Sequence, residues 1–407
     1  MKKLPSETFC VLPWMHVAVT PSGSYRLCCN SDPKTNKIWK DPKTEHKFFK
    51  DDEPNEVANV WHSPDYMEFR RQFLAGERPK TCERCFREED AGLVSARMRY
   101  NEKWMRDDIE LTVTPPLDVR YVDIRLGNLC NLKCRMCNPW SSSQWAKDWN
   151  KVVETSKTLE PSRKLTDGDI KWMEELSEWP DWRGTRLNFL ELADTVEEIY
   201  LTGGEPTLAR SQYHLLGHCV KKGIAHKIKL KYNTNLTNVP SEMIDLWKHF
   251  KRVQLNASID AVGIRDRYIR YPSSWNKIEE NFYKLSTMDN VDFQVHCTVQ
   301  ALNICALSQL LDWMENNGLE HNQLYLNILN HPYALNVRVL PEELKQRAYE
   351  DLQNYSDWPR VTDALKYMMA EDWHEKYWSD FVAYNTKTDK LQDMALIEAC
   401  PEFKDFV

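Results

Sequence analysis

The sequence predicts an α/β protein: an open partial barrel of six βα units, a small cysteine-rich domain in front of it, and a helical tail behind. Two observations predict this. Six short β-rich runs alternate with helical patterns over about residues 117–335, and such alternation implies parallel strands joined by helical crossovers. The ends of these runs also carry the chain's most reactive side chains, which is where parallel α/β folds place their sites.

The front segment, residues 1–116, holds five cysteines, at 10, 28, 29, 82 and 85. "CVLPWMHVAVTPSGSYRLCC" suits a β-hairpin, with apolar strands around a Pro-Ser-Gly turn. The polar, lysine-rich stretch 31–56 reads as a surface loop. "WHSPDYMEFRRQFLAGERP" reads as a helix ended by Gly76, with Trp61, Met67, Phe69, Phe73 and Leu74 for its buried side. "TPPL" at 114–117 marks a boundary, so the expected units are 1–116, 117–335 and 336–407. The barrel strands are "LDVRYVDIRLG", "EEIYLTGG", "KIKLKYNTNL", "RVQLNASID", "VDFQVHCTVQ" and "QLYLNILN". Between the first two lies a long gap with six of the 16 tryptophans, read as helices packed over the barrel. The tail from "LPEELKQRAYEDL" onward is helical, rich in Trp, Tyr and Met, and expected to pack on the barrel.

A net charge of -7 argues against a protein that grips nucleic acid through its phosphates. No apolar run reaches the length that spans a bilayer. Pro5, Glu7, Pro13 and His16 interrupt the only stretch resembling an export signal, so a cytoplasmic location is expected. In that setting the 12 cysteines read as metal ligands and buried thiols rather than disulfides.

Cys130, Cys134 and Cys137 in "CNLKCRMCNP" follow the first barrel strand. Three thiolates suit a [4Fe–4S] cluster with one iron left open. That iron can bind a small chelating molecule and pass it an electron. The competing reading is a structural zinc that pairs Cys134 and Cys137 with Cys82 and Cys85, which leaves Cys130 over. "LTGGEP" ends the second strand; Gly203 and Gly204 let the backbone approach a ligand closely, and Glu205 can accept from an ammonium group. "NASID" ends the fourth, and its Ser258 and Asp260 suit paired sugar hydroxyls. "YNTN" adds Thr234 and Asn235, for which a strand-end turn is an equal explanation.

The C-x-x-x-C-x-x-C spacing after a first barrel strand, followed in order by "LTGGEP" and "NASID", resembles the radical S-adenosylmethionine (SAM) enzyme superfamily over about residues 118–330. The resemblance implies a partial (β/α)6 radical SAM barrel. It implies that S-adenosylmethionine occupies the open iron through its amino and carboxylate groups. Reductive cleavage then yields a 5′-deoxyadenosyl radical that abstracts substrate hydrogen. It assigns Gly203, Gly204 and Glu205 to the methionyl amino group, Ser258 and Asp260 to the ribose, and Arg270 of "RDRYIRYP" to the carboxylate. Asn235 is a further cofactor contact, and Met136 stands near the adenine where the family often has an aromatic residue.

In the front segment, Gly23 with four residues before Cys28 resembles the opening of a SPASM or twitch domain, which carries an auxiliary [4Fe–4S] cluster. In the family this module usually follows the barrel; here it precedes it. The implied ligands are Cys10, Cys28, Cys82 and Cys85; the glycine spacing selects Cys28 over Cys29, and a four-cysteine zinc is the rival. Cys219, Cys297, Cys305 and Cys400 read as buried apolar thiols. Enzymes of this resemblance most often oxidise or cross-link peptides or proteins. Others dehydrogenate or rearrange small molecules such as aminocyclitols and nucleosides. A zinc-stabilised binding module is the more distant alternative. An electron donor such as flavodoxin or ferredoxin is implied as a partner; a membrane or nucleic acid is not expected.

Overall fold

The computed structural model describes residues 4–20, 25–32, 56–90, 92, 94–177, 192 and 194–407. Most of the lysine-rich stretch and the Pro-Ser-Gly turn, with Gly23, lie outside the described residues. Eight strands among the described residues form one sheet. They are β1 (His16–Val19), β2 (Tyr25–Arg26), β3 (Tyr121–Arg125), β4 (Glu198–Thr202), β5 (Lys229–Thr234), β6 (Arg252–Ser258), β7 (Val291–Val299) and β8 (Leu324–Ile328). The six strands β3 to β8 are parallel and adjacent in chain order, as the sequence predicts. The front hairpin adds something unexpected. Its β1 pairs in parallel with β3, so the sheet runs on past the "TPPL" boundary, and β2 closes that edge antiparallel to β1.

A parallel sheet covered on both faces by apolar elements reads as continuous hydrophobic runs. These strands alternate instead. One face carries Ile199 and Leu201, Leu230 and Tyr232, Val253 and Leu255, and Val295 and Cys297, all buried. It packs on helices that present apolar residues at helical spacing, such as Leu307, Leu310, Leu311 and Met314 of Leu307–Asn316. The other face carries Asp123 and Arg125, Tyr200, Lys231 and Asn233, Gln254 and Asn256, Gln294 and His296, and Tyr325. This polar face lines the barrel interior.

The front helix, Pro64–Leu74, starts at Ser63, whose hydroxyl accepts from Tyr66 N, and gives way at Gly76 with φ +77°. It buries Tyr66, Phe69, Arg70 and Phe73, while the expected Met67 and Leu74 are only half-buried. The difference has a polar cause. Arg70 crosses the ring of Trp61 at 4.5 Å and donates to Pro13 O (2.9 Å), Trp61 O (2.8 Å) and Val113 O (3.3 Å). Trp61 Nε1 in turn donates toward Pro115 O and Pro116 O. One cation thus ties the hairpin, the helix and the boundary segment together.

In the gap between β3 and β4, Trp145 and Trp149 are fully buried and meet edge to face at 5.8 Å. Packing is their role, as expected. Cys219, Cys297 and Cys400 are buried and Cys305 is half-buried. No helix among the described residues is long and apolar enough to cross a membrane.

Arg70→Leu strands two buried carbonyls, of Pro13 and Trp61, and the half-buried one of Val113, each buried one costing about 1 kcal/mol or more without a partner. The expected loss is about 3 kcal/mol, read as a lower denaturation midpoint of the cluster-loaded protein. A midpoint equal to wild type would show that the three carbonyls find other donors.

Candidate cluster and cofactor site

Cys130, Cys134 and Cys137 cluster directly after β3 and surround Leu132, with Met136 packed against them. The loop that holds them makes few contacts within itself, so neighbours fix it. Ser142 Oγ donates to Leu132 O at 2.6 Å, and Trp145 Nε1 donates to Cys134 O at 2.9 Å. Lys133 N and Arg135 N donate to Tyr271 O (2.5 Å) and Ile269 O (2.8 Å), beyond the end of β6. The strongest tie is Arg135, which is 0% exposed. Its guanidinium stacks on the Tyr268 ring at 3.6 Å, donates to Asn385 Oδ1 at 3.0 Å and pairs with Asp389 at 2.7 Å. Tyr384 donates its hydroxyl to Arg135 O at 2.7 Å. The helix His374–Gln392 of the tail therefore grips the cysteine loop by one face. The sequence reading missed Arg135, because its partners lie 250 residues away.

The two glycines of "LTGGEP" serve a close approach, and the partner is the cysteine loop itself. Gly203 has φ +114°, and a Cβ there would stand 2.8 Å from Gly127 O and Leu126 N. A Cβ on Gly204 would stand 2.2 Å from Leu129 O and 2.6 Å from Asn128 O. Gly204 N and Glu205 N donate to Gly127 O (3.1 Å) and Leu129 O (2.7 Å). The end of β4 is thus zipped to the start of the loop.

Glu205 is 2% exposed. Its Oε1 receives Thr207 N (3.1 Å), the Thr207 hydroxyl (2.7 Å) and the Thr234 hydroxyl (2.9 Å), and its Oε2 receives Asn235 N (2.7 Å). Burial raises its pKa, and these donors hold it back. A carboxylate oxygen has about two lone-pair positions, so Oε2 keeps one for a further donor. Asn235 also donates to Asn131 Oδ1 at 3.0 Å, and Asn131 donates to the Thr237 hydroxyl at 2.8 Å. Asn131, inside the cysteine loop, was not singled out from sequence. Its position between two cysteines is the only signal it gives.

At the end of β6, Ser258 is half-buried, and among the described residues its hydroxyl has no hydrogen-bond partner. Asp260 is fully buried. It accepts from Thr298 N at 2.6 Å, and its other oxygen lies 2.8 Å from Arg270 Nε. That second contact is an ion pair whose N–H does not line up as a hydrogen bond. Arg270 also faces Asp266, which burial pushes up to about 6, and it faces Cys134. Asp260 and Arg270 thus meet each other beside the cysteine loop, and Arg270 brings a positive charge to it.

In the front module, Cys10, Cys28, Cys82 and Cys85 line one cavity, with Arg97 and Tyr100. Cys29 is not among its lining residues. The groups acting on Cys29 are Asp123 and Arg125 of β3, the Tyr100 hydroxyl and Arg26. The two C-x-x-C pairs belong to different sets: Cys82 is coupled to Cys10 and Cys85, whereas Cys134 and Cys137 are coupled within the barrel loop. Burial pushes the thiols of Cys10, Cys130, Cys134 and Cys137 each up to about 12. Thiolates there require a cation, which iron supplies. The donor sets fit the clusters: four thiols lining one cavity suit a fully ligated cluster, and three on one loop beside an open carboxylate oxygen suit an incompletely ligated one.

Residues 124–293 match the model of the radical SAM superfamily, and residues 10–86 match that of the SPASM iron–sulfur cluster-binding domain. The barrel segment is thus a radical SAM domain. The chain carries an iron–sulfur cluster-binding domain in front of it, and its cofactors are [4Fe–4S] clusters and S-adenosylmethionine. Among curated proteins no relative matches. Solved structures with similarity include native anSMEcpe with bound AdoMet, at 14% identity and TM-score 0.38, covering 59% of this chain and 61% of that one. SuiB of Streptococcus suis with S-adenosylmethionine matches at 14% identity and TM-score 0.34, covering 72% and 63%. SuiB with its precursor peptide SuiA matches at 14% and 0.33, covering 71% and 64%. The chain spans about three fifths of the length of these structures.

Gly204→Ala sets a methyl group against backbone carbonyls that have nowhere to go. It should displace the cysteine loop and lower iron from about eight to about four per chain, the front cluster remaining. Iron and sulfide analysis of anaerobically prepared protein checks this; full iron content would refute the close approach. Glu205→Gln turns an amide N–H toward a donor on either side. It should weaken S-adenosylmethionine binding by about tenfold or more. An unchanged dissociation constant by calorimetry would remove Glu205 from the cofactor site.

Proposed function

We propose that this radical SAM protein abstracts hydrogen from a peptide or protein side chain, in a modification of the oxidation or cross-link type. The observation that carries the reading is the four-cysteine cavity of the front module, whose hairpin joins the same sheet that bears the three-cysteine loop at its strand ends. Bound together, the open cluster and S-adenosylmethionine supply a 5′-deoxyadenosyl radical. The chain's own residues do the rest. Cys130, Cys134 and Cys137 hold the open cluster, and Cys10, Cys28, Cys82 and Cys85 hold the auxiliary one. Glu205 orients an ammonium group through its open lone pair, and Ser258 offers a hydroxyl without a competing partner. Arg270 supplies positive charge beside Cys134, shared with Asp260. Gly203 and Gly204 keep the loop in register, and Met136 lends apolar surface beside it. The division into 1–116, 117–335 and 336–407 is part of this proposal, with the first unit donating a strand to the second.

The iron–sulfur cluster-binding domain supports a peptide or protein substrate, because enzymes of that resemblance most often act on them. A small molecule is the second reading, favoured by the interior amides. Asn256 donates to Asn233 (2.8 Å), and Gln254 donates to Asn256 (2.9 Å) and Gln294 (3.0 Å). Such a lattice suits a small polar ligand.

Replacing Cys130, Cys134 and Cys137 together by Ala should abolish reductive cleavage of S-adenosylmethionine to 5′-deoxyadenosine and methionine. Iron should fall by about half, the front cluster being spared. Cleavage that persists in the triple variant, followed by chromatography of the nucleoside, would sink the assignment.

A further inference from the structure

One row of side chains runs across the interior in register. Arg26 pairs with Ala18, Ala18 with Asp123, Asp123 with Tyr200, Tyr200 with Lys231, and Lys231 with Gln254. Arg125 stands one step above Asp123 on the same face of β3 and pairs with Thr202 of β4. Some charges near this row are matched: Glu198 pairs with Lys103 at 2.5 Å, and Arg252 pairs with Asp292 at 2.5 Å. Lys229 reaches only the neutral Gln254, at 2.8 Å, and Arg26 donates to Ser31 O with its Nε left unpartnered. Three more lack a charged partner. Among the described residues Arg125 and Lys231 have no carboxylate within ion-pair distance; Lys231 has only the Tyr200 ring, at 5.2 Å. Asp123, 2% exposed, leaves its Oδ1 without any partner, and the buried hydroxyl of Thr202 is likewise unpartnered.

We propose that the interior holds a subsite for an anionic oxygen group of the substrate, a carboxylate or a phosphate. Arg125 and Lys231 bind it, and Asp123 beside them accepts from a substrate N–H or O–H. Buried polar atoms are almost always hydrogen-bonded, so orphans converging with two unpaired cations mark what a ligand supplies. The field has the right sign. Three cations, Arg125, Lys231 and Arg26, face one carboxylate, which burial nevertheless pushes up to about 6. Farther along the same face, burial, Lys231 and Arg360 bring His296 down to about 3, so it adds no positive charge but registers the field. This positive interior sits in a chain of net charge -7.

The subsite is separate from the cofactor contacts. The charged groups acting on Cys130, Cys134 and Cys137 include Glu205, Arg270, Asp260 and Asp266, and neither Arg125 nor Lys231 is among the leading ones. Arg26, at the edge of the row, faces Arg125 and Asp123 as well as Cys28 and Cys29.

The inference rests on the radical SAM reading above, and the test keeps the two apart. Holoenzyme with both clusters and S-adenosylmethionine is titrated by calorimetry at fixed ionic strength with glutarate, inorganic phosphate and uncharged glutaramide. Saturable binding of glutarate or phosphate, but not glutaramide, is expected. Lys231→Met and Arg125→Met should each weaken it about tenfold, Lys231→Arg should largely preserve it, and the exposed control Lys248→Met should leave it unchanged. Preference for glutarate identifies a carboxylate source, such as an acidic residue or a chain terminus; preference for phosphate identifies a phosphorylated substrate. No binding of either anion, or equal binding in Lys231→Met and wild type, overturns the subsite. Cofactor cleavage by wild type is measured in parallel. Cleavage without anion binding overturns the subsite alone, whereas absent cleavage overturns the reading beneath it.

Discussion

No side chain fits between Gly204 and the backbone of Asn128 and Leu129, and the placement of the cysteine loop depends on that contact. A cysteine loop of this length has little regular structure of its own. It takes its shape from three borrowed surfaces: the end of β4, the turn after β6, and one face of the tail helix. The first fixes where the loop begins, because Gly204 N and Glu205 N both donate to it. Glu205 then carries the constraint onward to β5 through Thr234 and Asn235. The residue proposed to touch cofactor is therefore also a strut between strands. That is why its substitution is expected to disturb more than one charge.

The sheet divides its labour by parity. Odd and even positions along each strand point to opposite faces, so the same strands that pack a hydrophobic shell also build a polar chamber. The front hairpin extends this pattern rather than standing apart. Ala18 keeps the row open where Arg26 and Asp123 approach from either side, and Tyr100 reaches from the cluster cavity toward Cys29 and Tyr121. The chamber and the auxiliary cavity are thus separated by little more than one strand.

The barrel was legible because its strands are local patterns with turn residues at their ends, and the cysteine sets because their spacing is chemical. "LTGGEP" announced a close approach, though not to what: the glycines meet the loop backbone. The alternation in "KIKLKY" and "VDFQVHC" was visible too, and in a parallel sheet it signals a polar interior. Other features were hidden by distance along the chain. Nothing near His16–Val19 says that it will pair with a strand one hundred residues later. Arg70 and Arg135 look like solvated charges until the carbonyls and carboxylates that bury them are known. The helical run expected from Trp61 is two helices, Glu56–Trp61 and Pro64–Leu74, split at Ser63, and the second turns Arg70 inward where Met67 and Leu74 were expected.

The grip of the tail helix on Arg135 also orders events in time. On the ribosome, the four front cysteines and β3, which pairs with their hairpin, are all available once the first third of the chain has emerged. The barrel loop is synthesised next, yet Asn385 and Asp389, which immobilise it, follow 250 and 254 residues later. Because early segments fold first, the loop cannot take its final contacts until Asn385 and Asp389 have been made. The front cysteines and the barrel loop thus differ in when their supporting contacts can form: the first depend on neighbours close in the chain, the second on a helix made much later.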